Sequence, residues 1–211
     1  MPFEDLDNAD AVLDLRTGAA NFIMDQLALA WEARLATILT TAANVGSSVN
    51  LATSWSDEID GTPVRDIFTG KESIRSVTGM EPNVGICSGR AWNNLRQHPE
   101  IIDFVRGKGD NRGGGPVKES EVAAAFGLDK LLIGRGIRNT ADEDITPVFT
   151  EIWTTAFVLL YVAPAPGKMV ASHGYTFQWT PAGFPAPMAV IRRNDDDKKV
   201  EIVEALHYQD E

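Results

Sequence analysis

Cysteine and histidine are scarce in this chain of 211 residues. Cys87 is the only cysteine, so no disulfide can form within the chain and no zinc site can be built from cysteines. The three histidines, His98, His173 and His207, are scattered and lack the HxxxH or HxH spacing of zinc and iron ligands. We therefore expect no metal ion in this protein.

Basic residues are also fewer than acidic ones. There are 30 acidic and 19 basic residues, and the net charge is −8 over residues 1–60, +3 over 61–140 and −6 over 141–211. Because no basic stripe is concentrated anywhere, the chain is a poor candidate for gripping nucleic acid, although it can lie beside it and repel it. No apolar run reaches the roughly 18–20 residues of a membrane-spanning helix, so we expect no membrane partner.

Apolar residues are plentiful, at 44% of the chain with five tryptophans, which indicates a real core. Apolar side chains recur every three or four positions through residues 9–43 and predict one long helix, capped at its start by Asp7 or Asn8. At 1.5 Å per residue this helix is roughly 50 Å long. Such a helix is too long to be buried in a small globule, so we expect it to lie along a surface.

The centre of the chain is predicted to be an α/β layer. Pro63 begins a helix that Gly79 ends, with its apolar face formed by Val64, Ile67, Ile74 and Val77. A short apolar strand follows at 83–88, then a helix at 90–98 with Trp92 on its inward face, and Pro99 begins another. Further elements are expected as a helix at 118–126, strands at 130–133, 136–139, 156–163 and 175–179, and a hairpin of 188–193 with 199–208.

Several residues of types that often act in catalysis are better explained by a structural role. Cys87 lies inside an apolar strand, where a buried inert thiol is the ordinary case. His98 precedes Pro99 at a helix boundary, which favours a capping or surface role over catalysis. Glu100 and Asp103 are spaced for a solvated helix face.

The glycine-rich and acidic runs do not match the ligand-binding motifs that they suggest. The segment 107–116 (GKGDNRGGGP) lacks the final Lys and Ser or Thr of a phosphate-binding loop and is predicted to be mobile. The segment 134–139 (GRGIRN) has Asn139 at the third glycine position of a dinucleotide motif. The acidic runs 142–145 and 194–197 lack calcium-loop spacing. We expect no catalytic, cofactor-binding or metal-binding residues and no cofactor.

Two runs, "GRAWNNLRQHPEIID" and "FGLDKLLIGRGIRNTA", together with the order of the predicted elements, resemble the major capsid protein of tailed bacteriophages, which has the Hong Kong 97 fold. The similar segments are 55–103 and 121–179, about half of the chain. The resemblance implies an α+β protein with a peripheral domain at 1–63 that contains the spine helix, an axial domain at 64–167, and a return to the peripheral β-sheet at 168–211.

The resemblance also implies a function. The chain would be a non-enzymatic subunit of the virion, assembled in the host cytoplasm into pentamers and hexamers of itself around double-stranded DNA. Scaffolding, portal and decoration proteins would be further partners, and contact with packaged DNA would be non-specific. Members of the family carry an N-terminal arm and an extended loop before the spine helix. About eight residues precede it here, so we expect these two elements to be missing.

Two alternatives remain open from the sequence. The first is the shell protein of a cellular nanocompartment with the same fold, which would enclose a cargo enzyme. The second is a small α/β hydrolase that uses Cys87 as its nucleophile.

Overall fold

The structure is a computed structural model. It describes residues 2, 4–5, 14–107, 115–142, 144–154, 157–165, 167, 169–178, 188–207 and 209–210. The chain divides into two compact units, one formed by residues 1–31 and 175–211 and the other by residues 32–174.

The long helix predicted from the sequence is present as α1, Leu15–Thr40. The carboxylate of Asp14 accepts a hydrogen bond from the Thr17 amide (3.1 Å), so Asp14 caps the helix. The predicted start at residue 9 is wrong for α1, because residue 14 is not helical, and the predicted caps, Asp7 and Asn8, lie outside the described residues. The hydroxyl and amide of Thr17 lower the pKa of Asp14, which keeps this carboxylate charged at the positive end of the helix dipole.

A three-stranded sheet organises the second unit. Its strands are β1 (Val84–Ser88), β2 (Lys130–Gly134) and β5 (Phe157–Leu160), in the order β2–β1–β5. The central strand β1 runs parallel to β2 and antiparallel to β5. A parallel pair needs a crossover connection, and the helices between β1 and β2 supply it.

The helices of this unit begin and end at residues that local chemistry favours. They are α2 (Pro63–Thr78), α3 (Gly89–Leu95), α4 (Pro99–Arg106) and α5 (Glu119–Ala125). Pro63 and Pro99 occupy first-turn positions, and Gly79 ends α2 in the left-handed conformation (φ 70°). Helix α3 was predicted to reach residue 98 but ends at Leu95, because a residue before proline prefers an extended backbone and His98 adopts one.

Both faces of the sheet are covered. One face packs on a large core that contains Trp55, Ile67, Cys87, Trp92 and Phe126. The other packs on a smaller cluster formed by Ala36, Ile86, Trp153 and Leu160. Burial on both faces explains why β1 and β5 read as continuous apolar runs instead of alternating ones.

Three two-stranded ribbons complete the described strands outside the sheet. In the second unit, β3 (Ile137–Asn139) pairs antiparallel with β4 (Phe149–Glu151), and β4 was not predicted. In the first unit, β7 (Met188–Asp195) and β8 (Val200–His207) form the predicted hairpin around an acidic turn. Within the predicted strand at 175–179, residues 175–176 are not extended into a ladder, β6 (Phe177–Gln178) pairs with β9 (Gln209–Asp210), and residue 179 lies outside the described residues.

Candidate functional site

Cys87 is fully buried in the central strand, as predicted. Burial raises the pKa of its thiol to about 12, from an ordinary value of 9.0. Almost no thiolate exists at neutral pH under these conditions, and the thiolate is the nucleophilic form. The position of Cys87 therefore disfavours the hydrolase alternative.

His98 caps a helix, as the sequence indicated. Its Nδ1 accepts a hydrogen bond from the Glu100 amide at the start of α4 (3.2 Å), and its Nε2 lies 3.2 Å from the carbonyl oxygen of Asp57. A ring protonated on Nε2 satisfies both partners, so the buried imidazole joins the 54–61 loop to α4. His173 is exposed, and the side chain of His207 lies outside the described residues.

Glu100 and Asp103 do not form the solvated face that their spacing suggested. Both are half-buried, and the Glu100 carboxylate accepts a hydrogen bond from the Val64 amide at the start of α2 (3.3 Å). This bond places a negative charge on the positive end of α2 and holds the two helices together. The spacing was misread because the sequence does not reveal that α2 packs against α4.

The two glycines of GRGIRN, Gly134 and Gly136, let neighbouring side chains pack closely against the backbone. A Cβ on Gly134 would overlap the Trp153 ring, and one on Gly136 would lie 2.8 Å from the Glu32 carboxylate. The Trp153 indole donates a hydrogen bond to the same carboxylate (2.8 Å). Glu32 of α1, Trp153 and the two glycines therefore form one cluster of contacts. These glycines permit the close approach of a helix to a sheet.

Arg106 closes the base of the glycine-rich loop. Its guanidinium donates to the carbonyl oxygens of Gly115 (2.7 Å) and Pro116 (3.2 Å) and contacts the carboxylate of Glu121 (3.4 Å). Residues 108–114 lie outside the described residues, so the predicted mobility of 107–116 stays a prediction.

Neither acidic run gathers ligands for a cation in the part of the chain that the structure describes. Asp142 and Asp144 are exposed, and the run 194–197 spans the end of β7 and the turn after it. Among the described residues, no three His, Cys, Asp or Glu side chains are placed to share a metal ion. A search of the same residues finds no helix with the length and hydropathy to cross a membrane.

The first candidate surface is helix α1. Only Ala33 and Ala36 of its 26 residues are buried. The predicted apolar stripe includes Phe22, which is 64% exposed, and Trp31 and Ile38, which are about two-fifths exposed. Large exposed apolar side chains grouped on one element mark surfaces that bind other molecules.

A second candidate surface is the β3–β4 ribbon. All six of its strand residues are exposed, including Ile137 (54%) and Phe149 (71%). Val148 and Ile145, which precede β4, are also more than half exposed. A two-stranded ribbon is marginally stable by itself, so its exposed apolar residues make it a candidate binding surface.

A third candidate is Ile59, whose side chain is 91% exposed. It lies between Glu58 and Asp60 in the loop that Trp55 anchors to the core. The Trp55 indole donates to the Asp66 carboxylate (2.9 Å) and its ring packs edge-on against Phe157. An exposed apolar residue on a well-anchored loop is suited to binding. The sequence signal was the isoleucine itself, set among three acids.

Comparison with known proteins finds similarity to phage proteins. Over 146 residues, 67% of this chain, the sequence is 30% identical to a protein named "Major capsid protein" of Burkholderia phage BcepMu, and the match covers 43% of that protein. The fold is similar to the crystal structure of a phage-related protein from Bordetella bronchiseptica RB50, with a TM-score of 0.74 and 25% identity over 93% of this chain and 63% of that one. No family model matches the chain.

These matches confirm the resemblance to a phage major capsid protein. The mixed helices and sheets agree with the predicted α+β class. The match spans less than half the length of the curated relative.

Proposed function

We propose that this chain is a structural subunit of an icosahedral phage capsid with the Hong Kong 97-type fold. It assembles with copies of itself into pentamers and hexamers that enclose double-stranded DNA. The observation that carries the proposal is the 30% identity over 146 residues to a protein named as a phage major capsid protein. A subunit of this kind acts through geometry, so it needs surfaces for further copies and no catalytic site.

The exposed apolar surfaces support this proposal. Helix α1 presents Phe22 and Trp31 to solvent, and the β3–β4 ribbon presents Ile137 and Phe149. A protein that works as a monomer rarely exposes grouped large apolar side chains, because water contact with them is unfavourable. Neighbouring subunits would remove these side chains from water and stabilise the assembly.

The division of the chain supports the proposed domain roles. The unit of residues 1–31 and 175–211 would contribute to the peripheral domain, because it holds the start of α1 and the β7–β8 hairpin. The unit of residues 32–174 would contain the axial domain that surrounds the five-fold and six-fold axes. Scaffolding, portal and decoration proteins remain proposed partners.

The net charge of −11 suits a wall that faces packaged DNA. An acidic wall repels the phosphate backbone, so the DNA can slide during packaging, whereas a basic wall would hold it. Contact with DNA would then be non-specific.

Assembly is tested by sedimentation velocity and negative-stain microscopy of the purified protein. We expect rings or shell-like particles whose abundance rises with concentration, and weaker assembly for Phe22→Ser. Met169→Ser is the matched control, because Met169 is fully exposed and lies outside α1. Wild-type protein that stays monomeric at every concentration would overturn the proposal.

The two alternatives predict different observations. A nanocompartment shell would co-purify with a cargo enzyme, whereas a capsid subunit would be encoded beside other phage structural genes. A Cys87 hydrolase would react with a thiol reagent in its native state near neutral pH. We expect no such labelling until the protein unfolds, because the thiol is buried with a pKa of about 12.

A further inference from the structure

The 54–61 loop, which presents Ile59, is ordered by its own hydrogen bonds. The side-chain Oδ1 of Asp57 accepts from the amides of Ile59 (3.0 Å) and Asp60 (3.1 Å), and the Gly61 amide donates to the Asp57 carbonyl oxygen (3.1 Å). Because these bonds hold Ile59 in its exposed position before any partner arrives, less conformational entropy is lost when a partner binds.

The same loop rests on the imidazole of His98, which is buried. Its Nε2 lies 3.2 Å from the Asp57 carbonyl oxygen, and its Nδ1 accepts from the Glu100 amide (3.2 Å) at the start of α4. A Cβ on Gly61 would overlap the Asp57 carbonyl oxygen and lie 3.1 Å from Nε2. The glycine therefore permits the loop to approach the ring closely, and little space is left around Nε2.

The two contacts of the ring fix its protonation state. An amide N–H can only donate, so Nδ1 must carry a lone pair, and a carbonyl oxygen can only accept, so Nε2 must carry the proton. A second proton, on Nδ1, would point at the Glu100 N–H, and neither group could accept. Turning the ring over does not remove the conflict, because both nitrogens of an imidazolium are donors. The contacts of His98 therefore require the neutral ring.

Charged groups lie on each element around the ring. The loop contributes the Asp57 carboxylate, α2 contributes Asp66, α4 contributes Glu100, and Arg96 lies two residues before His98. The negative charges favour an imidazolium, whereas burial favours a neutral ring. The hydrogen bonds also favour the neutral ring, because the partners of both nitrogens are main-chain groups that an imidazolium cannot satisfy together.

We propose that His98 makes the 54–61 loop sensitive to pH, because protonation of the imidazole releases the cap of α4 and loosens the loop that presents Ile59. The contact is complete at neutral and higher pH and is lost as the pH falls, since only the neutral ring forms it. A partner that binds Ile59 would then bind more weakly in acid, because the loop would have to be ordered again on binding.

The carboxylate that shapes the loop does not explain a response in this pH range. Histidines change charge between about pH 5 and 8. The amides of Asp60 and Ile59 lower the pKa of Asp57, so this carboxylate stays charged throughout that range. The hydrogen bonds that Asp57 accepts within the loop therefore persist, and the contact with His98 is the one that changes.

Hydrogen exchange at pH 8.0 and pH 5.5, corrected for the intrinsic pH dependence of exchange, tests the proposal. In the wild-type protein, amide protection over residues 54–61 and 98–106 should fall about fivefold at the lower pH, the size of a lost helix cap. Protection over α5 should stay unchanged, because α5 makes none of the contacts described for the ring.

Two variants separate His98 from other titrating groups. His98→Asn keeps a capping oxygen and cannot be protonated in this range, so its two segments should show little change between the two pH values. His173→Asn is the matched control, because His173 is exposed, and it should keep the wild-type response. Circular dichroism checks that each variant is folded, and the comparison of segments within the wild-type protein stands even if His98→Asn does not fold.

The outcomes are distinct. Loss of protection in both segments of the wild-type protein and of His173→Asn, with little change in His98→Asn, supports the proposal. Equal protection at the two pH values overturns it, and so does a loss in α5 as large as that in the loop, which would indicate general loosening in acid. A His98→Asn variant that responds like the wild type would assign the effect to other groups and also overturn it. None of these results depends on assembly, so the inference and the proposed function can fail separately.

Discussion

The segment from β1 to α4 and helix α1 are both rich in apolar residues, yet they differ sharply in burial. Between residues 84 and 101, Cys87, Trp92, Leu95 and Ile101 are all at most 2% exposed. Along α1, only two alanines are buried. The comparison teaches that apolar periodicity predicts a helix, but whether its apolar face is covered depends on what the rest of the chain places beside it.

The largest contrast is expected between Trp92→Ala and Phe22→Ala. Trp92 is buried in the main core, so its truncation leaves a cavity and should cost about 3–5 kcal/mol of unfolding free energy. Phe22 is mostly exposed, so its truncation should cost less than about 1 kcal/mol in the monomer. Urea denaturation at low protein concentration measures both. Similar losses for the two variants would mean that the comparison is wrong.

Alanine substitutions at two glycines should change the stability of the protein in opposite directions. Gly134→Ala places a methyl group against the Trp153 ring and should destabilise the protein by about 1–3 kcal/mol. Gly18 lies inside α1 with no atom near its missing Cβ, so Gly18→Ala should stabilise the helix by up to about 1 kcal/mol. Thermal melts of the two variants should move in opposite directions, and a shared direction would contradict this account.

A smaller loss of stability is expected for substitutions of His98, a polar residue within the buried segment. His98→Ala removes the α4 cap and the contact with Asp57, which should cost about 1–2 kcal/mol. His98→Asn keeps a capping oxygen and should recover part of the loss. Urea denaturation of both variants checks the order. An alanine variant as stable as wild type would show that the cap contributes nothing.

The smallest effect at neutral pH concerns Cys87. Its folded-state pKa, about 12, lies above the unfolded value of 9.0, so burial of the neutral thiol stabilises the fold fully below pH 9. That contribution is lost as the pH rises from 9 towards 12. Stability should therefore fall more steeply with alkaline pH in the wild-type protein than in Cys87→Ala. Parallel curves for the two proteins would contradict the burial of the thiol.

Local chemistry in the sequence predicted several elements correctly. Pro63 and Gly79 mark the ends of α2, and the acidic run 194–197 between two predicted strands marked the turn of the β7–β8 hairpin. These signals depend on backbone conformations that each residue favours by itself. The start of α1 was missed because several acids near residue 9 can cap a helix, and the sequence does not show which one does.

Other properties were not predictable because they depend on residues far apart in the chain. Val77 was assigned to the apolar face of α2 and is 84% exposed. Strand β4 pairs with β3 across residues 140–148, which carry no strong turn signal. Pairing and burial of this kind are decided by which elements meet in space.

The sequence by itself determined the scarcity of metal ligands, the acidic charge, the helix ends set by proline and glycine, and the resemblance to phage capsid proteins. Only the tertiary structure decided that the glycines of GRGIRN admit Trp153 and Glu32, and that Glu100 serves the start of α2. It also decided that Ile59 and the β3–β4 ribbon stay exposed. The physical reason is that composition and local conformation are properties of neighbouring residues, whereas close approach and exposure depend on distant segments packing together.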